Sequence, residues 1–199
     1  MWEPDQSEIL DRLRLIEDMM AEGRRTTQRW GWMFLLWGIG PLVAMWWEYA
    51  WPGTVLAWPA VTLACILLNG AVIRARRRRG EARTPTMSAV GAVWASAGVA
   101  VLVLALAAAW SRALELRALY IMFFALAAVA HTACALMLRW AAQFLAALVW
   151  WAAAWAAFIL PAPQLRLLAA AALLAGNVAF GVWLTYREWH AHERNRHVA

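Results

Sequence analysis

The chain has 199 residues, of which 64% are hydrophobic and 16 are tryptophan, and its formal net charge is +6. A soluble domain is about half apolar and needs polar residues on its outward helix faces. Long stretches such as 89–110 and 141–160 supply almost none, so the composition excludes a soluble fold.

The N-terminal segment 4–23 is predicted to form a cytoplasmic amphipathic helix. Asp5 can cap it, with Glu8 three positions on, and Gly23 is expected to end it. Its apolar stripe repeats at helical spacing and comprises Ile9, Leu13, Ile16 and Met20. The segment carries far more acids than arginines, whereas helices that lie on anionic lipid are usually basic. We therefore expect it to pack on a second copy or a protein partner, with folding back onto its own bundle as the alternative.

Six apolar stretches follow, each near the roughly 20 residues that cross about 30 Å of hydrocarbon. Turn-forming sequences at 51–53 and 161–163 separate two pairs of stretches, and Arg139 alone separates the fourth from the fifth. The predicted spans are 30–50, 54–73, 87–110, 116–138, 141–160 and 166–186. The sequence thus predicts an all-α polytopic bundle over 30–186, preceded by a cytoplasmic segment, 1–29, and followed by a basic tail, 187–199.

Arginines accumulate on one side of these spans. If the N-terminus is inside, the outer loops carry only Arg112, Arg117 and Arg166 out of the 18 arginines. Arginine-rich short segments stay in the cytoplasm, so both termini are predicted to be cytoplasmic. The densest run is expected to touch anionic lipid headgroups rather than nucleic acid, because it lies at the end of an apolar segment. That run comprises Arg74, Arg76, Arg77, Arg78, Arg79 and Arg83.

Ionisable groups inside a membrane are costly and are the first functional suspects. His131 is the only one well inside a predicted span, and Cys134 lies three residues on, close enough to share a ligand. A neutral histidine bonded to a neighbouring helix is the favoured interpretation. A haem or metal ligand and a proton relay are the alternatives. Asn69 and Asn177 could converge with His131 on a polar pocket.

Two further patterns are ambiguous. Trp151 and Trp155, at i and i+4 on the fifth span, could line a cleft for lipid or an apolar ligand, although helix packing or a lipid-facing surface is the favoured reading. His190 and His192 could share a metal, but they also fit an exposed basic tail that includes His197. No dedicated metal site is predicted.

Several function classes lack their necessary groups. The chain has no lysine, which excludes a retinal-type Schiff base. It has no Gly-rich phosphate loop and no HExxH, and no carboxylate lies deep in a predicted span. No aspartate pair lies within the spans either. Nucleotide hydrolysis, intramembrane proteolysis and ion-coupled pumping are therefore disfavoured, and a non-enzymatic protein is expected.

The stretch 15–40, LIEDMMAEGRRTTQRWGWMFLLWGIG, resembles the start of uncharacterised small bacterial multi-pass inner-membrane proteins. In these, a short amphipathic helix and an arginine turn precede a Gly- and Trp-rich first span. The resemblance implies a bacterial inner membrane and no particular chemistry.

Three functions are carried forward. The leading one is a membrane anchor or sensor whose N-terminal helix docks a partner or a second copy. The second is a binder or facilitator of a small apolar molecule, and the third is a haem- or metal-binding protein centred on His131.

Overall fold

The computed structural model describes residues 6–28, 30–54, 56–78, 85–111 and 115–196. All regular secondary structure in these residues is helical. The helices are α1 (Gln6–Gln28), α2 (Gly31–Ala50), α3 (Ala57–Arg78), α4 (Pro85–Ser111), α5 (Leu116–Leu138), α6 (Ala141–Ile159), α7 (Leu165–Leu173) and α8 (Phe180–Arg196). A π-helical segment, Leu174–Ala179, joins α7 to α8, and we call the three together the last rod.

Five helical stretches within the described residues are long and apolar enough to cross a membrane. They are Ala57–Arg78, Pro85–Ala108, Leu116–Leu138, Ala141–Ile159 and Ala162–His190. The chain is therefore a helical membrane protein, and five of the six predicted spans coincide with such helices. The remaining predicted span forms α2, which contains Pro41 and Glu48 and is not among these five helices.

Two helices, α2 and α6, flank the last rod and hold the bundle together. α2 packs on the last rod and on α3, while α6 packs on the last rod and on α5. α4 lies against α5, and α1 contacts α4, α5 and α8. α3 and α4 bury few residues, namely Ala57, Cys65 and Val90, so they are the peripheral helices of the bundle.

Polar contacts define two opposite ends of the bundle. At the first, which we call the Glu48 end, the Glu48 carboxylate lies 3.6 Å from the Arg166 guanidinium, and Arg117 donates to the carbonyl of Ala157 at 2.6 Å. At the other, the arginine end, the Arg76 guanidinium lies 5.9 Å from the Trp32 ring centroid. α2 therefore runs antiparallel to α3, and α5 runs antiparallel to α6.

Close approach of α2 and α8 depends on two glycines. A Cβ atom on Gly31 would lie 2.9 Å from the carbonyl oxygen of Gly181, and one on Gly181 would lie 2.9 Å from that of Gly31. Lipid tails are as apolar as the helices, so helices in a membrane associate through close packing and not through the hydrophobic effect. Small residues let their backbones approach closely enough for such packing. The glycines therefore fix the contact between the first helix of the bundle and the last.

The predicted hairpin at Arg139 is present. Arg139 adopts φ 46 and ψ 51, a left-handed conformation, and its N–H donates to the carbonyls of Ala135 and Leu136. Such a C-cap lets the chain reverse within one or two residues. α5 and α6 consequently form an antiparallel pair along their lengths.

The predicted end of α1 is wrong, and two other helices extend beyond the predicted membrane spans. α1 does not end at Gly23 but continues to Gln28, because one glycine inside a helix costs only about 1 kcal/mol relative to alanine. α3 continues beyond residue 73 to Arg78, and the last rod continues beyond 186 to Arg196. Arginines near a helix C-terminus interact favourably with the helix dipole, so both helices continue beyond the end of their apolar stretches. The predicted cap, Asp5, lies outside the described residues.

Candidate functional site

The buried polar side chains among the described residues form a cluster centred on His131 of α5. Its Nε2 lies 3.4 Å from Oδ1 of Asn177 in the π-helical segment. Its Nδ1 lies 3.0 Å from Nε2 of Gln143 on α6. His131 and Gln143 are fully buried, and Asn177 is 8% exposed. Three helical elements therefore meet through side-chain hydrogen bonds.

The partners fix the direction of these hydrogen bonds. Oδ1 of Asn177 can only accept, so Nε2–H of His131 donates to it. The amide nitrogen of Gln143 can only donate, so Nδ1 of His131 accepts. One neutral tautomer of the imidazole satisfies both bonds.

Aromatic rings enclose this imidazole. Its centroid lies 4.8 Å from that of Trp94 in a T-shaped arrangement and 5.7 Å from that of Phe34. Trp150 stacks at 6.3 Å, and Phe180 lies at 6.2 Å. The four rings come from α2, α4, α6 and α8, so the cluster is covered on several sides and its hydrogen bonds are shielded from competing groups.

The π-helical segment sets the position of Asn177. Such segments are rare single-turn bulges that often occur at functional sites. Here the segment brings Gly176 against α6, where a Cβ atom on this glycine would lie 2.6 Å from Nε1 of Trp150. Only a residue without a side chain fits this contact, so Gly176 and Trp150 fix the height at which Asn177 faces His131.

Two polar atoms of this region have no hydrogen-bond partner within the described residues. They are Oε1 of Gln143 and Nε1 of Trp150, one an acceptor and the other a donor. A buried polar group without a partner costs about 1–3 kcal/mol and calls for an explanation. The cluster thus has unused hydrogen-bonding capacity beside its satisfied histidine.

The structure brings together only part of the predicted ligand set. Cys134 is fully buried in the apolar core beside Leu138 and Phe180. Asn69 lies on α3, which packs on α2, and no described hydrogen bond joins it to His131 or Asn177.

The predicted tryptophan stripe lies on another face of α6. Trp151 is 43% exposed and donates to Oγ1 of Thr132 at 3.1 Å, and Trp155 is 70% exposed. Trp150 faces the core instead. Trp151 and the buried cluster therefore do not line one common path.

Gln143 and Trp150 were absent from the predicted site. Gln143 lies twelve residues from His131 across the Arg139 hairpin, and this sequence position could have indicated the contact. Trp150 carries no such signal, because its orientation relative to Trp151 depends on how α6 is rotated in the bundle.

Metal or haem at His131 would have to displace a protein partner, since both ring nitrogens are engaged in hydrogen bonds. Within the described ranges no group of three His, Cys, Asp or Glu side chains could hold a metal ion. In the tail, the ring of His190 contacts Tyr186 and Trp189. The side chains of His192 and His197 lie outside the described residues.

A second notable feature is the face of α1 predicted to dock a partner. Ile9, Leu13 and Ile16 are 44%, 52% and 51% exposed, and Met20 is half-buried. Charged residues on the helix pair among themselves, Arg12 with Glu8 and Arg14 with Asp11. Although α1 contacts the bundle, about half of the surface of Ile9, Leu13 and Ile16 therefore remains exposed.

The arginine run stands at the end of α3. Arg74, Arg77 and Arg78 are exposed, and Arg76 is half-buried over Trp32. Arg79 and Arg83 lie outside the described residues. This end of the bundle is thus strongly basic.

No protein-family model, curated protein or solved structure matches this chain.

Proposed function

We propose that this protein is a non-enzymatic membrane anchor whose helix α1 docks another protein helix through its apolar stripe. The observation that carries the proposal is the exposure of Ile9, Leu13 and Ile16 on a highly charged helix. A contiguous exposed apolar surface rimmed by charges marks an interaction site. The bundle holds that surface at a fixed place on the membrane.

The proposal includes six spans, with α2 as the first. α2 has 20 residues, which at 1.5 Å per residue covers about 30 Å of hydrocarbon. Its start contacts α8 through Gly31, and near its end Glu48 pairs with Arg166 beside the start of α7. α2 therefore runs alongside the last rod, which is itself long and apolar enough to cross a membrane.

We further propose that the bundle spans the inner membrane of a bacterium and that its arginine end faces the cytoplasm. Support comes from the arginine distribution, because short arginine-rich segments remain on the cytoplasmic side. With six spans, α1 and the tail then share that compartment, and the arginines at the end of α3 contact anionic lipid headgroups.

The docking function is tested by native mass spectrometry of the full chain released from mild detergent. A double variant, Ile9→Asp with Leu13→Asp, removes the stripe without removing α1, and Asp18→Ala, also exposed on α1, is the matched control. We expect the full chain and the control to appear as complexes with a second protein chain, and the double variant to appear as a monomer. The same number of chains per complex for all three proteins would contradict the proposal. A chain lacking residues 1–23 should be monomeric, like the double variant.

A second candidate function, binding or facilitating passage of a small weakly polar molecule, is favoured by one observation. The donor Nε1 of Trp150 and the acceptor Oε1 of Gln143 are both buried and unpaired within the described residues, on the same helix as each other and near His131. Polar groups that converge in an apolar site are the usual means of orienting a small ligand. A reproducible added mass on the intact protein that Gln143→Leu removes would support it, and an unliganded mass for the native chain would contradict it.

A further inference from the structure

The spacing of the apolar stripe on α1 is that of a coiled-coil seam. Ile9, Leu13, Ile16 and Met20 follow one another at intervals of four, three and four residues. This is an average period near 3.5, the repeat of positions a and d in a heptad. Ile9 and Ile16 take position d, and Leu13 and Met20 take position a.

We propose that the helix docked on α1 is α1 of a second copy of this chain, lying parallel to it in register. This inference rests on the proposed docking function and names its partner. The argument comes from the charges beside the seam, because residues at positions e and g choose the partner and orientation of a coiled coil.

Those charges are self-complementary in one orientation. Arg12 precedes Leu13 and takes position g, and Glu17 follows Ile16 and takes position e. In a parallel pair, g of one helix faces e of the next heptad on the other, so Arg12 of each copy opposes Glu17 of the other. Two-fold symmetry forms this ion pair twice.

The antiparallel arrangement loses both ion pairs. In an antiparallel pair, position g of one helix faces g of the other, and e faces e. With the same core residues in contact, Arg12 of one copy then lies beside Met19 of the other, and Glu17 lies beside Leu10 of the other. No charge is then compensated across the pair. The sequence of the seam's flanks therefore specifies the parallel form.

The structure leaves the necessary groups accessible. Arg12 is 69% exposed and bonds Glu8 of its own helix through one terminal nitrogen, and a guanidinium has five N–H donors. Glu17 is exposed as well. The charged pair Arg14 and Asp11 takes positions b and f, away from the seam, as solvent-facing positions require.

The membrane supplies what the short seam lacks. Two heptads are too short to pair stably as free helices in water. Two chains anchored in one bilayer with their arginine ends on the same side hold their α1 helices at a high effective concentration. Pairing is therefore expected for the anchored full chain.

Cysteine cross-linking of the full chain in lipid vesicles tests the register. Ile9→Cys places a thiol in the seam, Asp18→Cys places one at position f as the matched control, and the native Cys65 and Cys134 are buried in the bundle. We expect oxidation to yield several-fold more disulfide-linked dimer from Ile9→Cys than from Asp18→Cys. Equal yields would overturn the proposal.

Orientation is tested by mixing Ile9→Cys with Met20→Cys, the two carrying different tags. A parallel pair gives dimers of Ile9→Cys with itself, whereas an antiparallel pair gives mainly mixed dimers. In the Ile9→Cys chain, Arg12→Glu should lower the dimer yield several-fold, and adding Glu17→Arg should restore it. A majority of mixed dimers, or a yield unaffected by Arg12→Glu, would overturn the proposal.

A photoreactive residue in place of Leu13, used in native membranes, separates this inference from the docking function. Cross-links between copies of the chain support both. Cross-links only to a different protein overturn the pairing of copies and leave the docking function standing. Labelling of lipid alone overturns both.

Discussion

The His131 cluster and the stripe of α1 are two regions in which side chains occupy the environment that their chemistry disfavours. At His131 polar groups lie in the apolar interior, and three of them satisfy one another through two hydrogen bonds. On α1 apolar groups stand exposed among charges, and about half of the surface of each of Ile9, Leu13 and Ile16 remains uncovered. The hydrogen bonds of the interior region are nearly complete within the chain, whereas the exposed region leaves apolar surface uncovered.

The difference indicates where each region acts. A buried, bonded polar cluster fixes how helices meet and contributes to the stability of the single chain. An exposed apolar stripe contributes little to that stability and much to association. Substitutions in the His131 cluster should therefore change the stability of the single chain, whereas substitutions in the stripe of α1 should change its association.

The largest effect on stability is expected for His131→Ala. This change removes both hydrogen bonds, leaves the amides of Gln143 and Asn177 unpaired, and opens a cavity among four aromatic rings. We expect a loss of about 2–4 kcal/mol of unfolding free energy. Denaturation in a graded detergent mixture, followed by tryptophan fluorescence, measures it. A loss below about 0.5 kcal/mol would show that the cluster is not what holds α5, α6 and the last rod together.

A smaller loss is expected for Gly181→Ala. The new methyl group would lie 2.9 Å from the carbonyl oxygen of Gly31, so α2 and α8 must separate at a cost of about 1–3 kcal/mol. Gly98→Ala on α4 is the matched control, because no atom lies within 4 Å of its added Cβ. The same denaturation measurement should leave the control unchanged or slightly more stable. If both variants lost the same unfolding free energy, the loss would come from the change of helix backbone and not from the contact between α2 and α8.

Glu48→Gln should change stability still less. The ion pair with Arg166 spans 3.6 Å, and its side chains are 37% and 48% exposed, so solvent screens it and the loss should stay below about 1 kcal/mol. Glu48 also accepts a hydrogen bond from Trp58, which Gln retains the ability to accept. A loss as large as that of His131→Ala would mean that the pair is buried in the native membrane.

The smallest effect on the stability of the single chain is expected for Leu13→Asp. Leu13 is 52% exposed and supports no described core cluster, so the denaturation midpoint of the monomer should not move. The same variant should abolish association in cross-linking. If it instead destabilised the monomer while association persisted, the stripe would belong to the bundle and the contrast between the two regions would disappear.

Much of the fold could be predicted from sequence because lipid imposes a simple rule. Every backbone polar group must be bonded inside its own segment, so about 20 apolar residues in a row specify a helix. The bounds of α5, 116–138, were predicted to the residue, and the hairpin at Arg139 was located from one charge in an apolar run. Helix ends were less predictable, since arginines extend α3 and α8 beyond the apolar stretches.

The candidate site was only partly predictable. His131 and Asn177 were identified as polar groups that a membrane interior tolerates only with partners. Which partners they have depends on the rotation of each helix about its axis, and an all-round apolar helix such as α6 encodes no rotation in its hydrophobic pattern. The meeting of His131 with Gln143, and the failure of Asn69 to join them, follow from that rotation.

By itself the sequence determined that the chain resides in a membrane as helices and which stretches form them. These follow from the local preferences of side chains for lipid or water. Only the tertiary structure decided that the stripe of α1 stays exposed, that Trp150 and not Trp151 faces the core, and that a π-helical turn brings Asn177 to His131. These outcomes depend on how helices pack, and packing is decided by the fit of residues far apart in the chain.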